Sequence, residues 1–272
     1  MTRKEIADKI LARLEPMKAE LAKEFAKPGR VNTFYVDDLL DEASAKKIYE
    51  AFPDKSEMME KKSLREYKNV AAQMNKYNPL LEEAVYAFQD PRLIALVSEI
   101  TGLREAIPDD RLYAGGISLM SQGNFLNPHL DNSHDNAREH YRILNLLYYV
   151  TPNWEESFGG NLELWDNGVD KPQRTIFSKF NRLAVMITNK SSFHSVSKVV
   201  VDGNRCCVSN YYFSSIPAER EHYFHVTSFY GRPEEKFKDF ILRIDSSLRN
   251  LVRKVFKKGV VKTKHIYDKN VK

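Results

Sequence analysis

Two histidines and two aspartates fall within NPHLDNSHD, residues 127–135. His129 and Asp131 are two positions apart, so an extended chain directs both side chains to one face. A neutral imidazole and a carboxylate that converge on one point are a natural start to a metal site. Alternatively, all four polar side chains, His134 and Asp135 included, form the tip of a solvated loop. These nine residues alone leave both interpretations open.

A third metal ligand must come from elsewhere in the chain. His194 follows the apolar run RLAVMIT and the turn NKSS, and Arg205 comes eleven residues after it. In RCCVSNYYF, Arg205 shares a strand face with Cys207 and Ser209, where a buried cation needs an anion to pair with it. Two histidines and one carboxylate leave three positions open on an octahedral iron, as in the facial triad of non-haem Fe(II) oxygenases. A buried arginine beyond the metal suits the far end of a dicarboxylate.

With these residues in order, the sequence resembles the Fe(II)/2-oxoglutarate-dependent oxygenases, and within them the prolyl-4-hydroxylase-like branch. The likeness covers about residues 111–215. Four stretches carry it: HLDN at 129–132, NLLYYVTPNW at 145–154, GGNLELW at 159–165 and NRLAVMITN at 181–189. The HxD motif by itself is weak, but the full series with its spacing is specific.

The resemblance implies roles for individual residues. It implies that Fe(II) is bound by His129, Asp131 and His194. It implies further that Arg205 pairs with the C5 carboxylate of 2-oxoglutarate, with help from Tyr149 and Ser209. The alternative for Tyr149 is a core aromatic, and Ser209 is equally open.

One departure from the family pattern concerns the C1 end of the cosubstrate. Many relatives carry a tyrosine nine or ten residues before the first metal histidine, and here Leu119 and Met120 occupy those positions. Asn145 shares a strand face with Tyr149. We therefore take Asn145 as the candidate for this contact.

The implied reaction is hydroxylation of an unactivated C–H bond, with 2-oxoglutarate and O₂ converted to succinate and CO₂. Ascorbate is left open as an auxiliary reductant. Related halogenases lack the carboxylate ligand, so Asp131 favours hydroxylation over halogenation. The substrate stays open between peptidyl proline or another protein side chain and a small molecule, carrier-bound intermediate or glycan. Segment 54–80 and loop 132–141 are the expected substrate lid.

The elements that must hold these residues follow from the hydrophobic pattern. The fold class predicted is α+β: a double-stranded β-helix (jelly roll) core flanked by N-terminal helices and a C-terminal amphipathic helix. Predicted helices span 2–27, a stretch starting at Asp41, a broken pair over 81–102, and about 234–258. Predicted strands are listed by sequence: RLYAGGISLMS, YRILNLLYYVT, GNLELW, RTIFSKF, RLAVMIT, SKVVV and RCCVSNYYFS. The polar segment 54–80 is predicted as loop and short helix.

No Pro/Gly/Ser-rich linker divides the chain, so residues 1–272 are predicted as a single dioxygenase domain. Its parts are a helical flank at 1–110, the catalytic core at 111–216, and a helix with a basic tail at 217–272. No run approaches the ~18 apolar residues of a membrane span. The N-terminus lacks the apolar segment of a secretory signal. The adjacent Cys206 and Cys207 are expected to be free, buried thiols, and free thiols fit a cytoplasmic location.

The net charge of +5 is uneven along the chain. Residues 249–272 carry nine Lys or Arg against the single acid Asp268, and His265 within this stretch is expected to be a surface residue. Such a tail can contact an anionic surface, or it can be a solvated segment that aids solubility. Two rivals to the oxygenase therefore stand: a non-catalytic jelly-roll binding protein, and a membrane- or nucleic-acid-associated factor using the tail.

Overall fold

The computed structural model describes residues 1–113, 115–219, 221–255 and 265–271. The N-terminal region contains five helices in these residues: α1 Arg3–Leu14, α2 Lys18–Phe25, α3 Glu42–Glu50, α4 Pro79–Ala87 and α5 Pro91–Thr101. Side-chain caps start four of them, since Thr2, Asp41, Asn78 and Asp90 accept from backbone N–H groups of the first turn. Gly102 ends α5 in the left-handed conformation at φ 70°.

The predicted single helix over 2–27 was wrong. A 3₁₀ turn at Glu15–Met17 separates α1 from α2, and Pro16 lies within it. Proline has no N–H to donate and its ring crowds the preceding turn, so a continuous α-helix is disfavoured there. The predicted helix after Asp41 and the pair divided near Pro91 were confirmed.

In the described residues, thirteen antiparallel strands form one curled sheet. The strands are β1 Thr33–Val36, β2 Met59–Lys62, β3 Glu66–Ala71, β4 Ile107–Pro108, β5 Gly116–Met120, β6 Phe125–Leu130, β7 Tyr141–Tyr149, β8 Leu162–Leu164, β9 Arg174–Ile176, β10 Arg182–Ile187, β11 His194–Val196, β12 Arg205–Ser214 and β13 Ser228–Phe229. Their order is β1-β10-β7-β12-β5-β3-β6-β11-β8-β9, with β13 on β6, β2 on β3 and β4 on β12. The predicted jelly-roll class is confirmed.

The helices cover the outer face of the β1-β10-β7-β12 half of the sheet. One apolar cluster joins Ile10 of α1 and Val97 of α5 to Leu146 and Tyr148 of β7. The rings of Phe88 and Tyr148 lie 6.0 Å apart between centroids. The other face of β7 is therefore left to line the interior of the curl, where the polar residues predicted for the site are found.

The predicted elements were wrong in two places, one a missed hairpin and the other a strand that is absent from its predicted position. Segment 54–80 contains the β2–β3 hairpin, and β3 is paired with both β5 and β6. The mixed polarity of β3 is not typical of a strand, so the sequence did not predict it. Its position is set by pairing with strands that are distant in sequence. The run SKVVV at 197–201 is not a strand, because its N–H groups bond to two separate connections, at Asn124 and at residues 158–161. The strand is β11, just before it.

The last helix is α6, Lys236–Val255, close to the predicted 234–258. Residues 256–258 lie outside the described part of the chain, as do Ala114, Arg220, 259–264 and Lys272. The helix packs on β13 through Leu242 and Ser246, and both side chains are buried. None of the helices in the described ranges is long and apolar enough to cross a membrane.

Candidate active site

Strand pairing brings the two predicted histidine ligands together. His129 of β6 lies directly opposite His194 of β11 in the register of the sheet. Their ring centroids are 4.1 Å apart. Asp131 follows immediately after β6. Its Oδ1 lies 3.5 Å from Nε2 of His129, and its Oδ2 lies 3.5 Å from Nε2 of His194. One ligand atom from each of the three buried residues lies within 4.8 Å of the others.

The backbone fixes which nitrogen of each ring faces the centre of this cluster. His129 Nδ1 lies 2.9 Å from the carbonyl of Asn127, and His194 Nδ1 lies 3.0 Å from that of Ser192. A carbonyl only accepts, so each Nδ1 carries the proton and donates it. Each Nε2 then keeps its lone pair and faces the space between Asp131 and the other histidine, as metal binding requires.

The charge of Asp131 is balanced from behind by protein groups. The Asn145 amide donates to Oδ2 at 2.6 Å, and Arg142 Nη1 is 3.3 Å from the same oxygen. Burial would raise the pKa of Asp131, but the Arg142 guanidinium and the two imidazoles together hold this pKa well below its usual range. Burial, with His129 adjacent, lowers the pKa of His194 to about 4. An ionised carboxylate beside a neutral imidazole is the protonation state in which both bind a metal.

These residues fit Fe(II). Two imidazole nitrogens and a carboxylate oxygen converge, which is the donor set that leaves open positions on a non-haem iron. Each histidine ring is held by its hydrogen bond to the backbone, and the His129 ring also stacks on Phe229, with 5.0 Å between the centroids. The three residues therefore form a prearranged candidate iron site.

All seven residues predicted for the site line one cavity inside the curl of the sheet: His129, Asp131, Asn145, Tyr149, His194, Arg205 and Ser209. Arg205 is buried, its Nε has no hydrogen-bond partner among the described residues, and no carboxylate in those residues pairs with it. Its guanidinium lies 5.4 Å from the centroid of the Tyr149 ring. An unpaired buried guanidinium is costly, so the site is arranged to receive an anion there.

The sequence predicts that Asn145 contacts the cosubstrate, whereas its contacts in the structure are with other residues of the protein. Its amide nitrogen binds Asp131, while its carbonyl accepts from Thr188 at 3.2 Å. Both ends are thus engaged in positioning the ligand carboxylate. A contact with the C1 end of 2-oxoglutarate stays a prediction. Met120, at one of the positions where relatives have tyrosine, lines the cavity with an apolar side chain.

His134 and Asp135 do not join the metal cluster found in the described residues. The ring of His134 packs on Tyr141, 4.2 Å between centroids, and Asp135 pairs with His140 at 2.9 Å. These contacts fold the 132–141 loop onto itself. Cys206 and Cys207 are free and buried, as expected.

Sequence reasoning missed Arg142. It is 1% exposed, and its Nε and Nη2 have no partner in the described part of the chain. The guanidinium lies over the Tyr211 ring, 4.1 Å from the centroid. Strict alternation along β7 would direct Arg142 away from Asn145 and Asp131, but the β7–β12 register shifts between Tyr212 and Phe213. Such a bulge re-aims a side chain, and no local sequence signal marked it.

His265 was expected to be a surface residue, and this was wrong. It is 6% exposed and lines the candidate active-site cavity. Its Nε2 lies 2.7 Å from the carbonyl of Gly115, and Tyr267 N donates to the carbonyl of Arg111 at 2.8 Å. Within residues 265–271, His265 therefore forms part of the cavity wall, to which Lys68 of β3 also contributes. A contact between segments 150 positions apart could not be read from composition.

Comparisons with known proteins agree with this geometry. Residues 115–213 match the model of the 2OG-Fe(II) oxygenase superfamily. A Xenopus laevis protein named prolyl 3-hydroxylase OGFOD1 is 37% identical over 84 residues, which are 29% of this chain. The matched part is only 16% of that relative's length.

Solved structures share the fold. A prolyl hydroxylase from Trichoplax adhaerens, in complex with a hypoxia-inducible-factor peptide fragment, matches with a TM-score of 0.55 and 15% identity. The match covers 75% of this chain and 92% of that one. A Pseudomonas putida prolyl-4-hydroxylase matches with a TM-score of 0.54 and 14% identity, over 73% of this chain and 99% of the other.

Proposed function

We propose that this protein, whose residues 115–213 belong to the 2OG-Fe(II) oxygenase superfamily, hydroxylates a C–H bond of its substrate with 2-oxoglutarate as cosubstrate. The observation that carries the proposal is the buried cluster of His129, Asp131 and His194, with the unpaired Arg205 in the same cavity. A non-catalytic binding protein would have no need to keep a metal-ligand set and a buried, unpaired guanidinium together.

Each side chain has a defined task in this proposal. Arg205 binds the C5 carboxylate of 2-oxoglutarate through charge-assisted hydrogen bonds, with Tyr149 and Ser209 beside it. The two histidines keep Nε2 unprotonated, and Asn145 and Arg142 hold Asp131 in place as a carboxylate. Bound Fe(II) supplies the redox chemistry that couples decarboxylation of 2-oxoglutarate by O₂ to hydroxylation. Apolar walls, among them Leu162 and Val196, restrict water in the cavity.

The proposal is tested by binding of metal and cosubstrate without O₂. Anaerobic Fe(II) with 2-oxoglutarate should give a weak visible charge-transfer band with the wild-type protein, and His194→Ala should abolish it. His140→Ala, which changes a histidine outside the cluster, is the matched control and should retain the band. If the wild type gives no band, or if His194→Ala keeps it, the oxygenase proposal fails.

Arg205→Ala tests the cosubstrate anchor separately. Loss of a buried charge-assisted pair corresponds to about 3 kcal/mol, so half-saturation of the band should need about 100-fold more 2-oxoglutarate. Arg243→Ala changes an arginine on the surface of α6 and should leave this requirement unchanged. An unchanged requirement in Arg205→Ala would move the anchor to another residue.

For the substrate, we propose peptidyl proline as the first class to test. The support is the names of the relatives: a prolyl 3-hydroxylase in sequence, and prolyl hydroxylases in fold. Succinate release should rise when proline-containing peptides or proteins are supplied. Stimulation by sugars, carrier-bound intermediates or other small molecules instead would reject the prolyl substrate and retain the oxygenase.

A further inference from the structure

Helix α6 turns its apolar side to solvent. Six large apolar side chains on one side of the helix are exposed: Phe237 79%, Phe240 62%, Ile244 46%, Leu248 58%, Leu251 61% and Val252 38%. We call this set the outer face of α6. It holds half of the exposed large hydrophobic residues found in the described ranges, and the others are scattered. An amphipathic helix normally buries its apolar side, so the exposed outer face is a candidate binding surface.

The opposite, polar side of α6 is fixed to the body of the protein. Ser246 exchanges hydrogen bonds with the backbone of Phe229 at 2.9 and 3.2 Å. Asn250 accepts from Val226 N at 3.0 Å, and Arg249 donates to the carbonyl of Thr227 at 2.7 Å. Rotating the helix to bury the outer face would break this whole set. The outward orientation is therefore built into the fold.

Charge around the outer face indicates the kind of partner. Lys236 and Arg243 are seven positions apart, so they lie along the same edge of the outer face. Residues 236–253 of α6 contain five Lys or Arg against two acids. A partner surface that is apolar beneath and negatively charged above complements both features. Helices with a large apolar face and a cationic border are typical of proteins that lie in a membrane interface.

We propose that α6 binds the surface of an anionic phospholipid bilayer, with its outer face inserted between the lipid headgroups. A second copy of the chain complements the outer face less well, because it would bring to the contact the same excess of positive charge that α6 already carries. A protein that wraps around the helix is disfavoured as well, because the polar side of α6 is occupied by the strand Ser228–Phe229 and its neighbours. This inference is independent of the oxygenase activity.

The test is sedimentation of the full chain with phospholipid vesicles. The wild type should sediment with vesicles of equal parts phosphatidylcholine and phosphatidylglycerol, and hardly with phosphatidylcholine alone. Binding should weaken as salt rises, because the headgroup attraction is screened. Replacing Phe237, Phe240 and Leu248 together by serine should weaken binding about 100-fold or more, because the inserted apolar area is lost. The three side chains are exposed, so the fold should be unaffected.

The matched control replaces Leu64 and Val200 by serine as well. Each of these side chains is 57% exposed and lies outside α6. This control should bind vesicles as the wild type does. Leu248→Trp gives a second readout: its emission should shift to the blue with anionic vesicles, against the buried Trp154 and Trp165. The proposal is overturned if the wild type does not bind anionic vesicles, if the triple variant binds equally well, or if the emission of the Leu248→Trp variant does not move. A wild-type dimer that the triple variant dissociates would assign the outer face to a second copy.

Discussion

Arg142→Met should destabilise the metal-free protein far more than the metal-loaded protein. In the wild type the guanidinium lies 3.3 Å from Asp131 Oδ2, and both side chains are buried. At an effective dielectric constant of about 20, two unit charges at that separation attract by about 5 kcal/mol. Methionine fills a similar volume without charge, so the variant leaves the Asp131 carboxylate in the interior with its main countercharge removed.

The magnitude is expected to fall at the level measured for a buried pair that loses one partner. That loss costs about 3–5 kcal/mol, which corresponds to a fall in Tm of about 10 °C for a chain of this size. A divalent ion at His129, Asp131 and His194 supplies positive charge to the same carboxylate. Added Fe(II), or a redox-inert substitute such as Mn²⁺, should therefore raise the Tm of Arg142→Met more than that of the wild type.

Arg182→Met is the matched control for this experiment. Arg182 is also largely buried in the sheet, and its Nε and Nη2 bind Asp37 at 2.5 and 2.9 Å, away from the candidate iron site. Without metal, Arg182→Met should melt at a lower temperature than the wild type. Added metal should raise its Tm no more than it raises the Tm of the wild type. Thermal unfolding with and without metal measures all three proteins. If metal-free Arg142→Met melts as the wild type does, or if metal fails to favour it over Arg182→Met, the countercharge argument is refuted.

Two further predictions concern His265 and Gly159. Burial and the nearby Lys61 lower the pKa of His265 to about 4, against about 6.5 in an unfolded chain. The unfolded state therefore binds the extra proton first, so a contribution on the order of 3 kcal/mol is full above about pH 6.5 and is lost as pH falls toward 4. The Tm of His265→Gln should change less than that of the wild type between those pH values, and parallel curves would contradict the assignment. Gly159→Ala should destabilise by about 3 kcal/mol or more, because φ is +78° and a Cβ would lie 2.0 Å from the carbonyl oxygen of Lys198. Gly123→Ala, with φ +84° and nothing within 4 Å, is its control and should cost only the backbone strain, so equal losses in Tm would remove the steric explanation.

The sequence located the residues of the cavity well because their signals are local or evenly spaced. His129 and Asp131 need only an extended chain to share a face, and β12 alternates without interruption from Arg205 to Ser209. Helix caps such as Asp41 and the break before Pro91 are likewise set by neighbouring residues. These features depend on conformations that a few adjacent residues determine.

The features that the sequence did not disclose depend on contacts between distant segments. The hairpin of β2 and β3 has little strand character by itself, and β3 gains its place from hydrogen bonds to β5 and β6. His265 is buried because its ring meets the carbonyl of Gly115, a contact between segments far apart in sequence that composition does not reveal. For α6 the pattern predicted the helix correctly, but it contained no information about which side would face the protein.

Arg142 shows why the balance of charge in such a site is harder to predict than its ligands. By alternation it belongs with Leu144, Leu146 and Tyr148, whose side chains face the helices. One shift in the register between β7 and β12 reverses its direction and brings a cation against Asp131. A carboxylate that must stay ionised in a buried cavity before any metal arrives needs such a countercharge. Two of the three ligands therefore lie in one short motif, whereas the countercharge that stabilises their carboxylate in the metal-free fold depends on the pairing of two strands.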